Sequence, residues 1–263
     1  MKLAVAGKGG VGKTLLAGTL SRLLARDGYR VLAVDADPAM NLSYALGIPQ
    51  EAVSNVVPIA ENEELIRERA GWRFGEVFTL TPRVEDIADR FGIMGPDGVR
   101  LLIMGTVRYG GSGCMCPANA LIRALISHIT LARDEAIVMD MEAGLEHLGR
   151  GTARGFDALL CVVEPGRQAI ETAGKIAALS ADIGIRRVYA VGNKVMDEEG
   201  TKLIEEGVDA LGMELIGVIP FDVEVLKADA SRIAPLDYNP NSPAIKAITK
   251  IKETLIQKLS GGG

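Results

Sequence analysis

The eight residues Gly7-Lys8-Gly9-Gly10-Val11-Gly12-Lys13-Thr14 leave this chain few ways to fold. They have the spacing Gly-x-x-x-x-Gly-Lys-Thr and follow the apolar run Leu3-Ala4-Val5-Ala6. After them Leu16, Leu20, Leu23 and Leu24 recur at helical spacing up to Gly28, which suits a left-handed helix end. A strand, a glycine-rich turn and a helix in that order begin a βαβ unit, so a parallel sheet with crossover helices is expected. The glycines let successive backbone N–H groups face one anion, and the positive end of the helix starting near Lys13 adds to the attraction. Gly7, Lys8, Gly9, Gly10, Val11, Gly12, Lys13 and Thr14 are therefore read as a phosphate loop for a nucleoside triphosphate. In that reading Lys13 neutralises the β- and γ-phosphates, and the Thr14 hydroxyl ligates a Mg²⁺ ion that keeps several waters.

The rest of the chain repeats the alternation. Strand-like runs are expected at 30–34, 101–104, 136–140, 158–163, 187–192 and 214–219, those at 30–34 and 136–140 as buried strands. With the first, these make about seven strands alternating with helices: an α/β fold, a doubly wound, mainly parallel sheet. Carboxylates at the ends of such strands fall in the crevice where doubly wound sheets bind ligands. Asp140 fits the role of holding Mg²⁺ through water, and Asp35 fits either a ligand role or stabilisation of its own turn. Between Asn41 and Arg100 the pattern weakens. A charged surface helix is expected from Glu61 to Arg73, and Gly95-Pro96 marks a turn. No repeat or linker divides the chain, so residues 1–260 are read as one domain and Gly261-Gly262-Gly263 as a disordered tail.

Composition narrows the partners. A chain of 263 residues, 48% apolar, can bury one large core, and a net charge of −5 argues against bulk nucleic-acid binding. Met1-Lys2-Leu3 runs straight into the first strand, and no apolar run approaches the roughly 20 residues that span a bilayer, so a cytoplasmic protein is expected. The last helix, 242–259, carries Ile245, Ile248, Leu255 and Leu259 on one face and Lys246, Lys250, Lys252 and Lys258 elsewhere. Packing on the sheet is the expected use of that stripe, and a membrane anchor is the alternative.

Of the three cysteines, Cys161 lies inside an apolar strand and is read as core, whereas Cys114 and Cys116 lie in Gly110-Gly111-Ser112-Gly113-Cys114-Met115-Cys116-Pro117. Pro117 suits the first turn of a helix with Leu121, Leu125 and Ile129 on one face, and a helix N-terminus favours thiolate over thiol. Two thiolates fill half of a tetrahedral soft-metal site. A two-fold axis through this loop would supply the other half.

Lys8 is a second lysine that a phosphate loop does not need, and with it Lys-Gly-Gly-Val-Gly-Lys-Thr resembles the deviant Walker A motif of the MinD and ParA ATPases and the nitrogenase iron protein. The resemblance implies a nucleotide-sandwich homodimer in which Lys8 reaches the phosphates bound by the partner subunit. Asp37-Pro38 resembles the first switch of those ATPases, which implies that Asp37 positions the attacking water and holds a water of the Mg²⁺ shell. The Asp-x-x-x-Gly spacing of Asp140 and Gly144 resembles a second switch that senses the γ-phosphate. Asn193-Lys194 after a strand of this fold places an amide against a purine edge, adenine or guanine, and the resemblance favours adenine. Pro220-Phe221-Asp222 resembles the late loop that closes over the base.

With Gly113-Cys114-Met115-Cys116-Pro117 between the third and fourth of these strands, nearly the whole chain is similar to the CooC-type ATPases, the nickel-insertion accessory proteins of carbon monoxide dehydrogenase. That resemblance implies ATP and ADP with Mg²⁺ as ligands, and Lys8, Lys13, Asp37 and Asp140 as the residues of hydrolysis. It also implies one Ni²⁺ held between subunits by Cys114 and Cys116, delivered to carbon monoxide dehydrogenase, with neither nucleic acid nor membrane as a partner. Four thiolates suit Zn²⁺ or an iron–sulfur cluster as well. A MinD/ParA-like positioning ATPase and an iron–sulfur scaffold or reductase ATPase are the alternatives.

Overall fold

Alternating side chains of the first strand face two different cores, and the architecture follows from that. Leu3 and Val5 pack into one apolar cluster and Ala4 and Ala6 into another, all four fully buried. A strand with no wet face needs helices on both sides. In a computed structural model of the chain, the described residues are 1–71, 79–105, 117–128, 134–141 and 155–261. They form strands β1 (Lys2–Gly7), β2 (Arg30–Ala36), β3 (Ile93–Met94), β4 (Arg100–Ile103), β5 (Glu135–Met141), β6 (Ala158–Val163), β7 (Val188–Val195) and β8 (Glu214–Pro220). One sheet contains them all, in the order β3-β4-β2-β5-β1-β6-β7-β8.

Every pairing is parallel except that of β3 with β4. The expected doubly wound parallel sheet is thus present, with eight strands instead of about seven. The additional one is the antiparallel edge pair Ile93↔Leu101 and Met94↔Arg100, too short to show any hydrophobic period.

The helices are α1 (Lys13–Arg26), α2 (Leu42–Leu46), α3 (Gln50–Val53), α4 (Glu63–Ala70), α5 (Ile87–Phe91), α6 (Pro117–His128), α7 (Arg167–Ile183), α8 (Glu198–Asp209), α9 (Val223–Ser231), α10 (Pro235–Tyr238) and α11 (Pro243–Ser260). Side chains of α1, α2, α10 and α11 build the core with Leu3 and Val5, and those of α4, α6, α7 and α8 build the core with Ala4 and Ala6. Helix α1 ends as its sequence asks: Gly28 has φ 94° and donates to the Ala25 carbonyl at 3.0 Å.

Helix α4 is shorter than the expected span from Glu61 to Arg73. The Asn62 side chain accepts from the Leu65 N–H at 2.9 Å and starts it, and Gly71 at φ 72° ends it. Its charged sequence also hides a buried face of Leu65, Ile66 and Ala70. Helix α6 has Leu121 and Leu125 buried, as expected, while Ile129 lies outside the described residues; toward its end the buried Lys2 ammonium donates to the Ile126 carbonyl. That contact, at the start of β1, leaves the Pro117 end of α6 on the edge where the strands finish. Cys161 is fully buried in β6, and burial pushes its thiol up to about 12, so it is a core residue.

The apolar stripe of α11 is spent inside the molecule. Ile245, Ile248, Ile251 and Leu255 are each no more than 2% exposed, and Ile251 presses on Gly217 of β8, where a Cβ would lie 2.4 Å from Ile251 Cγ1. Two of the lysines tie the same helix down, Lys252 to Asp27 and Lys258 to Glu214 at 2.6 Å. Among the described residues no helix is long and apolar enough to cross a membrane. Gly261 donates to the Gln257 carbonyl at 3.0 Å and so belongs to the end of α11, while the expectation for Gly262 and Gly263 lies outside the described residues. Replacing Ile251 by Ala should cost about 2–5 kcal/mol and Gly217 by Val about 1–3 kcal/mol in urea unfolding. An Ile251→Ala chain as stable as the parent would mean that the stripe is free for another surface.

Candidate nucleotide site

Because the central strands are parallel, the C-terminal ends of β1, β2, β5, β6, β7 and β8 all lie on one edge. The turn after β1 carries residues 8–12 and delivers the chain into α1. Gly12 is the N-cap of α1 at φ 95°, a left-handed conformation that favours glycine, and among the described residues no side chain caps this helix; its first turn carries no acid. Val11 is wholly buried and anchors the loop to the core. Lys13 is only 6% exposed, and its ammonium returns to the Lys8 carbonyl at 3.3 Å. An uncapped helix start beside a buried lysine, on the ligand-binding edge of a doubly wound sheet, is a receptor for an anion.

Beside it lies a hard-oxygen cluster. Thr14 Oγ1 donates to Asp140 Oδ2 at 2.7 Å, and the second carboxylate oxygen, Oδ1, is buried with no hydrogen-bond partner among the described residues. Asp35 is Asp140's register neighbour on β2. Its two oxygens accept from the Asp37 N–H at 3.2 Å and the Leu42 N–H at 2.9 Å, so Asp35 holds the turn after β2 together. Burial pushes the Asp35 carboxyl up to about 6. Burial, with Asp35 adding to it, pushes Asp140 up to about 7 against the opposing Thr14 hydrogen bond.

Asp37 is half-buried, and its Oδ1 accepts from the Ala39 N–H at 2.8 Å. Thr14, Asp140 and the orphaned Oδ1 suit a small hard cation such as Mg²⁺. Among the described residues no three acidic, histidine or cysteine side chains form a metal site by themselves. An ion here would take most of its ligands from phosphate and water.

Three further strand ends close the site. From β7, Asn193 is 3% exposed and donates its amide N–H to the Val11 carbonyl at 2.6 Å, and Lys194 Nζ donates to the Gly10 carbonyl at 2.6 Å. From β6, Glu164 lies between two lysines, 3.6 Å from Lys8 Nζ and 3.6 Å from Lys194 Nζ. From β8, the Phe221 N–H donates to the Val195 carbonyl at 2.8 Å, which joins the last loop to the end of β7 beside Lys194. Pro220 and Phe221 stand at the rim. Asp222 is a double cap: its oxygens accept from the Glu224 N–H at 2.9 Å and the Ala244 N–H at 3.0 Å, at the starts of α9 and α11. Burial pushes its carboxyl up, but those two N–H groups hold it below the usual range.

The structure therefore brings together the phosphate-loop residues, Asp37, Asp140, Asn193, Lys194 and the 220–222 loop. Cys114, Cys116 and Gly144 lie outside the described residues. Glu164 was missed in the sequence, although its place after a buried strand and before Pro165-Gly166 is the same signal that marked Asp140.

Residues 2–236 match the nucleotide-binding domain shared by CobQ, CobB, MinD and ParA. The chain belongs to that family. It is 43% identical over 242 residues to the carbon monoxide dehydrogenase accessory protein CooC of Rhodospirillum rubrum, covering 91% of each chain. It is 40% identical over 98% of each chain to an uncharacterized ATP-binding protein of Methanocaldococcus jannaschii. Among solved structures, a ParA family ATPase from Chlorobium tepidum superposes with a TM-score of 0.70 at 19% identity, over 97% of this chain and 98% of that one. MinD of Pyrococcus horikoshii, solved with Mg-ADP, gives 0.67 at 21% identity over 99% and 97%. This member of the family is an ATPase with a CooC relative and a MinD-like fold.

The buried carboxyls make the stability of the free chain depend on pH. Asp140 and Asp35 keep protons up to about pH 7 and about pH 6 when folded but release them near their ordinary value of 3.8 when unfolded. The folded state thus binds more protons over that window, and stability falls as pH rises through it. In EDTA, the melting temperature should drop between pH 5 and pH 7 more steeply for the parent chain than for Asp140→Asn. Parallel curves for the two proteins would show that Asp140 carries no such burden.

Proposed function

We propose that this chain is an ATP-driven metallochaperone: it dimerises on nucleotide binding, holds one metal ion between subunits through Cys114 and Cys116, and delivers it during carbon monoxide dehydrogenase maturation. The observation that carries the reading is the pair of cysteines directly before Pro117 of α6, in a chain 43% identical to a CooC accessory protein. Nickel is the cargo that the resemblance to CooC-type ATPases implies, and zinc suits the same thiolates. The acting form is a cytoplasmic homodimer of single-domain subunits spanning residues 1–260, with neither nucleic acid nor membrane as a partner.

The roles follow from position. The backbone of residues 7–14 and the start of α1 bind the phosphates, with Lys13 against the β- and γ-phosphates. Thr14, Asp37 and Asp140 are the residues that would hold Mg²⁺, the two carboxylates through water, and the ion would supply charge neutralisation on the triphosphate. Asp37, at the mouth of the site, orients the water that attacks the γ-phosphorus while the bond to the ADP oxygen breaks. Lys8 leaves Glu164 and reaches the partner subunit's nucleotide. Pro220 and Phe221 border the adenine. Gly144 senses the γ-phosphate, and its release after hydrolysis separates the thiolate pairs and weakens their hold on the metal.

Intrinsic turnover should be slow, because a carboxylate that only orients water is a weak base. Asp37→Ala should lower steady-state ATP hydrolysis at least about tenfold with little change in ATP affinity. Hydrolysis at the parent rate would remove Asp37 from this role.

The metal reading is tested by titrating anaerobic, reduced protein with Ni²⁺ and counting metal per chain in the dimer fraction, beside a Cys114→Ser, Cys116→Ser control. One nickel per two parent chains and none in the control is the expected result. Equal binding by both proteins would overturn thiolate ligation and leave the positioning-ATPase reading. An iron–sulfur absorption spectrum after anaerobic reconstitution would favour the scaffold reading instead.

A further inference from the structure

Consecutive side chains of a regular strand point to opposite faces of the sheet, yet Asn193 and Lys194 both meet the phosphate loop. Two irregularities at the end of β7 allow this. Lys194 sits at φ 57°, a left-handed conformation that a non-glycine residue keeps only where its surroundings compel it, and the pairing of β7 with β8 slips between Gly192 and Val195. A slip of this kind re-aims side chains locally. The loop has made room in turn, since a Cβ on Gly12 would lie 2.2 Å from Asn193 Nδ2. Glu164 lies 3.6 Å from the Lys194 ammonium and 3.6 Å from that of Lys8.

The carbonyls these donors reach are successive ones. The Gly10 peptide plane also carries the Val11 N–H, which closes the turn on the Lys8 carbonyl at 3.4 Å, and the Val11 plane also carries the Gly12 N–H. In a trans peptide the N–H points opposite to the carbonyl. Drawing the Val11 carbonyl toward Asn193 therefore aims the Gly12 N–H away from β7. A loop that offers N–H groups to an anion has to satisfy the carbonyls on its outer side with donors from elsewhere.

We propose that Asn193 and Lys194 are positioning residues for the phosphate loop, fixing the Gly10 and Val11 peptide planes before any nucleotide arrives. Their effect is on phosphate affinity, whichever base is attached. This assignment is independent of the metal reading, and it differs from recognition of the base, the role their sequence suggests, in what it predicts for a ligand that has no base.

The test uses the full chain with Mg²⁺ and two probes, ATP and inorganic tripolyphosphate, followed by calorimetric titration and thermal melting. Lys194 is nearly half exposed, so its replacement leaves the core intact. Lys194→Gly removes the donor and also the left-handed strain. It should bind both probes about tenfold more weakly, the loss of one charged donor, with a melting temperature equal to or above that of the parent. Lys194→Arg, which keeps a cationic donor, should recover most of the affinity. Asn193→Ala should weaken both probes by a common factor. Loss of ATP affinity with tripolyphosphate binding untouched would assign these residues to the base and overturn the proposal. Parent-like binding of both probes by Lys194→Gly would overturn it as well, whatever its melting temperature.

Discussion

The parallel pairing of β1 with β5 on one side and β6 on the other puts the chemistry in one place. With β2 paired to β5 in the same sense, Asp35 and Asp140 become register neighbours at the strand ends, directly beside the turn that leaves β1. Reversing any of these strands would carry its terminal side chain to the far edge of the sheet. The helices then serve this arrangement: their two cores make it possible for β1 to be buried on both faces, and the price is that every polar group of the site enters from a strand end or a helix start.

The free site holds unlike charges apart. Two carboxyls are pushed up by burial at the ends of β2 and β5, beside the start of α1, where Gly12 offers no capping side chain and Lys13 is nearly buried. Each half is unfavourable alone, because neither charge type is well solvated there. A cation bound together with a polyphosphate relieves both halves at once, which is why a magnesium nucleotide suits the site better than either component. Glu164, between Lys8 and Lys194, supplies a smaller internal compensation for the lysines at the mouth.

Much of this was legible from residue order. Long apolar runs gave the seven longer strands, the eight-residue loop gave the site's floor, acids at strand ends gave Asp140 and Asp35, and Asp37 came from the resemblance of Asp37-Pro38 to a first switch. What stayed hidden has physical reasons. The edge strand β3 has two residues and no period, and the buried face of α4 is masked by the charges around it. Asp222 looks like part of a base-closing loop but satisfies the first turns of two helices, a role set by a segment 22 residues away. The contacts of Asn193 and Lys194 to the loop join residues 182 and 184 positions apart, which no local spacing encodes. The comparisons with known proteins add the family and its ATPase chemistry, while the cysteine loop lies outside the described residues.

The double cap at Asp222 ties together parts of the molecule that are distant in the chain. One carboxylate, two residues past the end of β8, fastens the first turn of α9 and the first turn of α11. Helix α11 in turn lies on β8 and on α1, whose first residues close the phosphate loop. Helix α11 (Pro243–Ser260) is thus fastened at its first turn to the loop after β8 and along its length to the sheet and α1, not an appendage to them. A change at the loop after β8 would therefore reach the first turn of α11 through a single carboxylate, and from there the edge where β8 begins, where Lys258 pairs with Glu214.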